Sequence, residues 1–150
     1  MAAPSSSSSS KPQRAAASRP SRKFTLEQAN RALPLVKRIV ADIVRTHAQA
    51  ASHREKLERM SASKDSKSTQ QDLDQSIDRL QDLVDELSDV GVELKDYETG
   101  LVDFVGRHDG RDVYLCWKLG EERITHWHEI SAGFAGRKSV SALREREPKA

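Results

Sequence analysis

The sequence predicts an α+β fold: a long antiparallel helical hairpin packed on a small antiparallel sheet of three or four strands. Two observations carry this. Apolar residues recur at helical spacing from residue 25 to 90, and the period then switches to strict alternation after Gly91. A third observation is charge. Residues 25–60 carry seven basic and four acidic side chains, whereas residues 69–90 carry seven acidic and one basic. Two segments of opposite sign joined by a short polar loop are suited to lie side by side, although each exposed pair contributes only about a few tenths of a kcal/mol.

The first helix is expected over about residues 25–60. Thr25 and Gln28 form the capping pattern T-x-x-Q. Pro34 leaves two outcomes open, a break after residue 32 or a single helix through the proline. Beyond it, Val36, Ile39, Val40, Ile43 and Val44 mark one face, and His47 continues it. Residues 61–70 are small and polar and read as a loop. The second helix, 69–90, places Leu73, Ile77, Leu80, Val84 and Leu87 at spacings typical of a coiled-coil seam. Gly91 suits the left-handed cap that ends it.

The sheet is expected over about 92–129. Short strands at 92–94 and 101–104 are separated by a turn at 95–100, and a second turn spans Gly106–Gly110. Residues 112–119 alternate, with Val113, Leu115, Trp117 and Leu119 on one face and Tyr114, Cys116 and Lys118 on the other. A turn at 120–122 leads to a last strand at 124–128. A three-residue loop there pairs Cys116 with His126 and Tyr114 with His128. A two-residue loop turns both histidines to the apolar face.

The ends differ in character. Residues 1–23 hold five basic and no acidic residues, with eight serines and three prolines, and are expected to be disordered. The rest of the chain is net acidic, so the pI of about 8.8 comes from this arm. A single domain is expected at 24–140, followed by a charged, disordered tail at 141–150. One cysteine excludes an intrachain disulfide, and no stretch is apolar enough for a membrane span. A secretory apolar core is not seen near the N-terminus.

The segments F-T-L-E-Q-A-N-R-A-L-P-L-V at 24–36, G-V-E-L-K-D at 91–96, G-L-V-D-F at 100–104, Y-L-C-W-K-L-G-E at 114–121, and W-H-E with G-F-A-G-R within 127–137 occur in order. In these the chain resembles the bacterial and archaeal family called domain of unknown function 2203, over about residues 24–140. Proteins of that family commonly carry a proline after D-F, where this chain has Val105. The resemblance implies a cytoplasmic setting and supplies no reaction.

Candidate chemistry gathers near the last strand. His126 and His128, two apart on a strand, share a face and could both ligate a divalent metal. His108 and Asp109 are further candidates. Gly133–Ser139 lacks the glycine spacing of a phosphate loop, but Gly136 and Arg137 form a turn with a cation beside it, suited to an anion. Asp103, His128, Glu129 and Arg137 are the expected functional cluster. Cys116 reads as a buried, inert thiol. The leading functional expectation is a non-enzymatic cytoplasmic protein-interaction module, binding a protein partner or self-associating. The alternative is a small metal- or anion-dependent enzyme around His128, Glu129 and Arg137. Nucleic-acid binding through the basic arm ranks third, and no membrane partner is expected.

Overall fold

The computed structural model describes residues 22–60 and 64–145. Helix α1 spans Leu26–Arg59 and α2 spans Lys64–Val90. Five strands follow: β1 Val92–Asp96, β2 Leu101–His108, β3 Arg111–Lys118, β4 His126–Glu129 and β5 Lys138–Ser139. They form one antiparallel sheet in sequence order, with two helices against one face. The α+β class and the hairpin-on-sheet arrangement hold; the strand count is five instead of three or four.

Thr25 caps α1 as its sequence requires. Its hydroxyl accepts from Gln28 N at 3.0 Å, and the Gln28 side chain accepts from Thr25 N at 2.9 Å. The helix runs unbroken through Pro34, which is exposed, so the carbonyl left without its N–H partner can turn toward water. Burial of Ala29, Leu33, Val36, Ile39, Val40 and Ile43 holds the helix on the core across the proline.

Helix α2 begins earlier than residue 69. Residues 61–63 lie outside the described residues, and Lys64–Ser68 are already helical. Thr69 is not a cap: it is buried, and its hydroxyl meets Met60 Sδ at 3.5 Å, packing the start of α2 on the end of α1. Gly91, at φ +101°, ends α2, and Gly91 N donates to the Ser88 carbonyl at 2.9 Å.

The β2–β3 turn is tighter than the sequence reading. Strand β2 continues through Val105, paired with Tyr114, to His108. A proline at 105 would deny the strand an N–H. The turn shrinks to Asp109-Gly110, both at positive φ (51° and 83°), the conformation a two-residue hairpin demands. This fixes the register: Asp103 opposite Cys116 and Phe104 opposite Leu115. On the next strand, Cys116 faces His126 and Tyr114 faces His128, the register of the three-residue option. Ile124 does not enter β4. Its N–H donates instead to Asn30 Oδ1 at 2.8 Å, tying the connection to α1.

One sheet face carries Val92, Val102, Phe104, Val113, Leu115, Trp117 and Trp127, all buried against α1 and the C-terminal half of α2. The opposite face carries Glu93, Lys95, Asp103, Tyr114, Cys116, His126 and His128.

Both chain ends are docked further than expected. Arg22 Nη1 donates to the Val90 carbonyl at 3.1 Å, and Lys23 lies 3.7 Å from Asp112, so the ordered chain includes 22 and 23; the remainder of the predicted arm, 1–21, lies outside the described residues. The predicted disordered tail fails over 141–145. Arg144 grips Asp109 with both arms, Nε to Oδ1 at 2.8 Å and Nη2 to Oδ2 at 2.7 Å, and Glu145 accepts from Leu26 N at 2.5 Å. Residues 146–150 lie outside the described residues.

The hydrogen bonds from Arg144 hold the Asp109 carboxyl down at about 2. A depressed carboxyl stabilises the docked state fully above the ordinary carboxylate range and loses that contribution as pH falls through the folded value. The Arg144 Nε–H resonance should therefore keep its hydrogen-bonded shift at pH 5 and lose it as acid brings the solution toward about pH 2. A shift that is already lost at about pH 4 would mean that Arg144 does not hold Asp109.

Candidate functional site

The polar face of the sheet should be wet, yet three of its side chains are almost fully shielded. Asp103 on β2, Cys116 on β3 and His128 on β4 are each 1–3% exposed. One ligand-type atom from each lies within 4.8 Å of the other two. The register explains the meeting: Asp103 and Cys116 are direct cross-strand partners, and His128 sits one alternate position along the neighbouring strand.

The His128 ring is fixed on one side by its own strand, Nδ1 lying 2.8 Å from the Glu129 carbonyl oxygen. Nε2 points the other way, 3.4 Å from Asp103 Oδ1. That spacing permits attraction between opposite charges but is no well-formed hydrogen bond. Asp103 Oδ1 has no hydrogen-bond partner among the described residues. Burial raises the Asp103 carboxyl above its ordinary value, with His128 and then Lys95 pulling the other way. Burial, reinforced by Asp103, pushes the Cys116 thiol up to about 12 against the opposing Arg137 guanidinium. As a lone thiol, Cys116 is protonated and unreactive at neutral pH.

A second polar group flanks the trio. Tyr114 donates to Glu93 Oε1 at 3.1 Å, Lys95 Nζ reaches the same oxygen at 3.1 Å, and the Tyr114 ring lies 5.5 Å from that of His128. Burial, and then the Glu93 carboxylate, raise the Tyr114 phenol. Burial works to lower Lys95, but the bond to Glu93 together with the charges of Glu93, Tyr114 and Asp103 outweighs it and holds the ammonium above its ordinary value.

The expected cluster is only half assembled. Asp103 and His128 meet; Arg137 adjoins through Cys116 but pairs with neither Asp103 nor Glu129. Its Nη1 donates to Glu121 Oε2 at 3.3 Å, and its guanidinium lies 4.1 Å from the centre of the Phe134 ring. Glu129 is on the opposite sheet face, held by Arg111 through Nε at 3.0 Å and Nη2 at 2.5 Å, which lowers its carboxyl. Alternation puts it there, since neighbours on a strand point to opposite sides.

His126 shares the face of His128 but is only half-buried, with Nδ1 2.9 Å from Thr125 Oγ1, and it stands outside the trio. Gly136 closes a short 3-10 turn, its N–H donating to Gly133 O at 3.0 Å, and a Cβ there would sit 2.8 Å from the Ala132 Cβ. The Gly136 N–H and Arg137 Nη1 are thus both engaged within the protein. His108 serves structure: its Nδ1 accepts from Arg144 N at 3.0 Å, and its ring packs on Trp127 at 4.4 Å.

Cys116 was the member missed from sequence. The signal was present in Asp109-Gly110, a hairpin dipeptide that sets Asp103 against Cys116 once it is taken as a two-residue turn.

No helix of the described residues is long and apolar enough to cross a membrane. Neither the curated proteins nor the solved structures provide a match. A family model described as "Uncharacterized conserved protein (DUF2203)" matches residues 22–140, spanning α1, α2, the sheet and the polar trio, and the chain belongs to that family.

Proposed function

We propose that the protein is a cytoplasmic, non-enzymatic interaction module whose coiled-coil-like hairpin docks a basic segment of a partner protein on the outer face of α2. The observation that carries this is a stripe of carboxylates. Asp74, Asp78, Asp82 and Asp89 are exposed and fall at helical spacing on the side away from buried Leu83 and Leu87, with Glu86 exposed beside them.

The stripe works against the helix that bears it. Like charges four residues apart disfavour a helix by about a few tenths of a kcal/mol per pair. Aspartate is a poor helix former, and carboxylates near a C-terminus oppose the macrodipole. The last turn of α2 has no basic residue of its own. A cationic partner relieves the mutual repulsion and adds to the charge that Arg22 already brings to the C-terminus of α2, which favours a basic polypeptide as the occupant. The single buried cysteine and the lack of any disulfide support a reducing, cytoplasmic setting.

The test is fluorescence anisotropy of a labelled twelve-residue lysine-rich peptide titrated with the full chain. Binding is expected at low salt and should weaken as salt screens the charges. The combined variant Asp74→Asn, Asp78→Asn, Asp82→Asn and Asp89→Asn, shown to be helical by circular dichroism, should bind at least tenfold more weakly. Equal binding by the variant, or none by the wild-type chain, overturns the proposal. Sedimentation of the full chain shows whether a second copy, which brings its own basic residues 1–23, acts as the partner.

A further inference from the structure

The trio on the opposite side of the molecule carries a separate inference, independent of the α2 face. We infer that Asp103, Cys116 and His128 form a binding site for one divalent ion of the zinc class, ligated through a carboxylate oxygen, Sγ and Nε2.

A carbonyl oxygen only accepts, so the 2.8 Å contact with Glu129 O places a ring proton on His128 Nδ1. A ring that carries that single proton presents a bare Nε2. That nitrogen faces Asp103 Oδ1 at 3.4 Å, an oxygen with no hydrogen-bond donor among the described residues. Two acceptors confronting each other out of water are unfavourable unless positive charge lies between them.

A shared proton could bridge the Asp103–His128 pair, but it would give no role to the third converging atom. The Cys116 sulfur completes a set of one nitrogen, one sulfur and one oxygen within 4.8 Å. This is the donor mixture that a borderline-soft dication takes and that calcium and magnesium do not. Bond lengths of about 2.0–2.3 Å around a tetrahedral ion put donors roughly 3.4–3.7 Å apart, so a contraction of at most about 1.4 Å closes the site.

The surroundings agree. A ring N–H given to a backbone carbonyl is the arrangement that orients a metal-binding histidine. Metal binding removes the thiol proton, and a dication with one carboxylate and one thiolate is neutral overall. Arg137, beside Cys116, is itself balanced by Glu121. The neutral sum suits a site whose three side chains are 1–3% exposed.

The experiment is calorimetric titration of chelator-treated, folded full-length chain with zinc chloride, run in buffers of different ionisation enthalpy. The expected result is one zinc per chain with release of up to about two protons, one from the thiol and one shared between Asp103 and His128. Cobalt added to the same wild-type chain should give a thiolate-to-cobalt charge-transfer band, a readout that needs no variant. Cys116→Ser, Asp103→Asn and His128→Gln should each weaken zinc at least tenfold, and His126→Gln should not. Absence of zinc binding and of the cobalt band in the folded wild-type chain overturns the inference. So does zinc binding that survives Cys116→Ser unchanged, which would assign the ion to surface histidines.

Discussion

Trp117→Ala should be among the most destabilising single substitutions in this protein, costing about 3–5 kcal/mol in urea unfolding. The indole is fully buried on the helix-facing side of β3, opposite Val102 on β2. Truncation leaves a cavity between sheet and helices that the rigid β-ladder cannot collapse to fill. The indole also holds the turn after β3, its Nε1 donating to the Glu121 carbonyl at 2.9 Å. Glu121 in turn accepts from Lys118 N and from Arg137, so loss of the ring loosens the loop beside Cys116. Trp117→Phe keeps most of the volume and gives up the hydrogen bond, and should cost about 1–3 kcal/mol. A loss below about 1 kcal/mol for the alanine variant would show that β3 is not packed as described.

The alternation that buries Trp117 was legible because, after Arg111, one face of β3 carries only Val113, Leu115 and Trp117 and the other is mixed. Strand pairing was less legible, since it depends on turns. Val105 and Gly106 were given to a turn on the strength of the glycine, whereas Gly106 lies within β2. A Cβ at that position would sit 2.8 Å from Leu115 Cγ, so the glycine makes room for a core leucine instead of bending the chain. With β2 cut short at 104, the Asp103–Cys116 pairing was out of reach. The cluster expected from sequence therefore joins Asp103 to His128 without Cys116, and includes Glu129 although alternation sends it to the other face. The docking of 141–145 had no local signal at all, because it depends on Asp109 and the start of α1, far away in sequence. Charge in a segment's composition does not distinguish a free tail from one held by an ion pair.

The seam of α2 leads to the second large effect. Leu87→Ala should cost about 2–5 kcal/mol, Leu80→Ala clearly less, and Ile77→Ala under about 0.5 kcal/mol. Leu87 is 1% exposed and Leu83 3%, both within the core cluster, while Leu80 is half-buried against it and Ile77 is 42% exposed. The sequence allows two stripes of the same period, one through residues 73, 77, 80, 84 and 87 and the other through 73, 76, 80, 83 and 87. The first looks better by composition because it holds Ile77 where the second holds Ser76. The structure takes the second. Leu83 and Leu87 then both reach the sheet-side core, and Ser76 lines a polar groove with Thr46 and Gln49 of α1. Burial of Leu83, which only the second stripe turns to the sheet-side core, offsets exposure of Ile77, at about 1.5–3 kcal/mol for each large apolar side chain. Urea unfolding of the three variants decides the register. A cost for Ile77→Ala equal to that for Leu87→Ala would restore the first stripe.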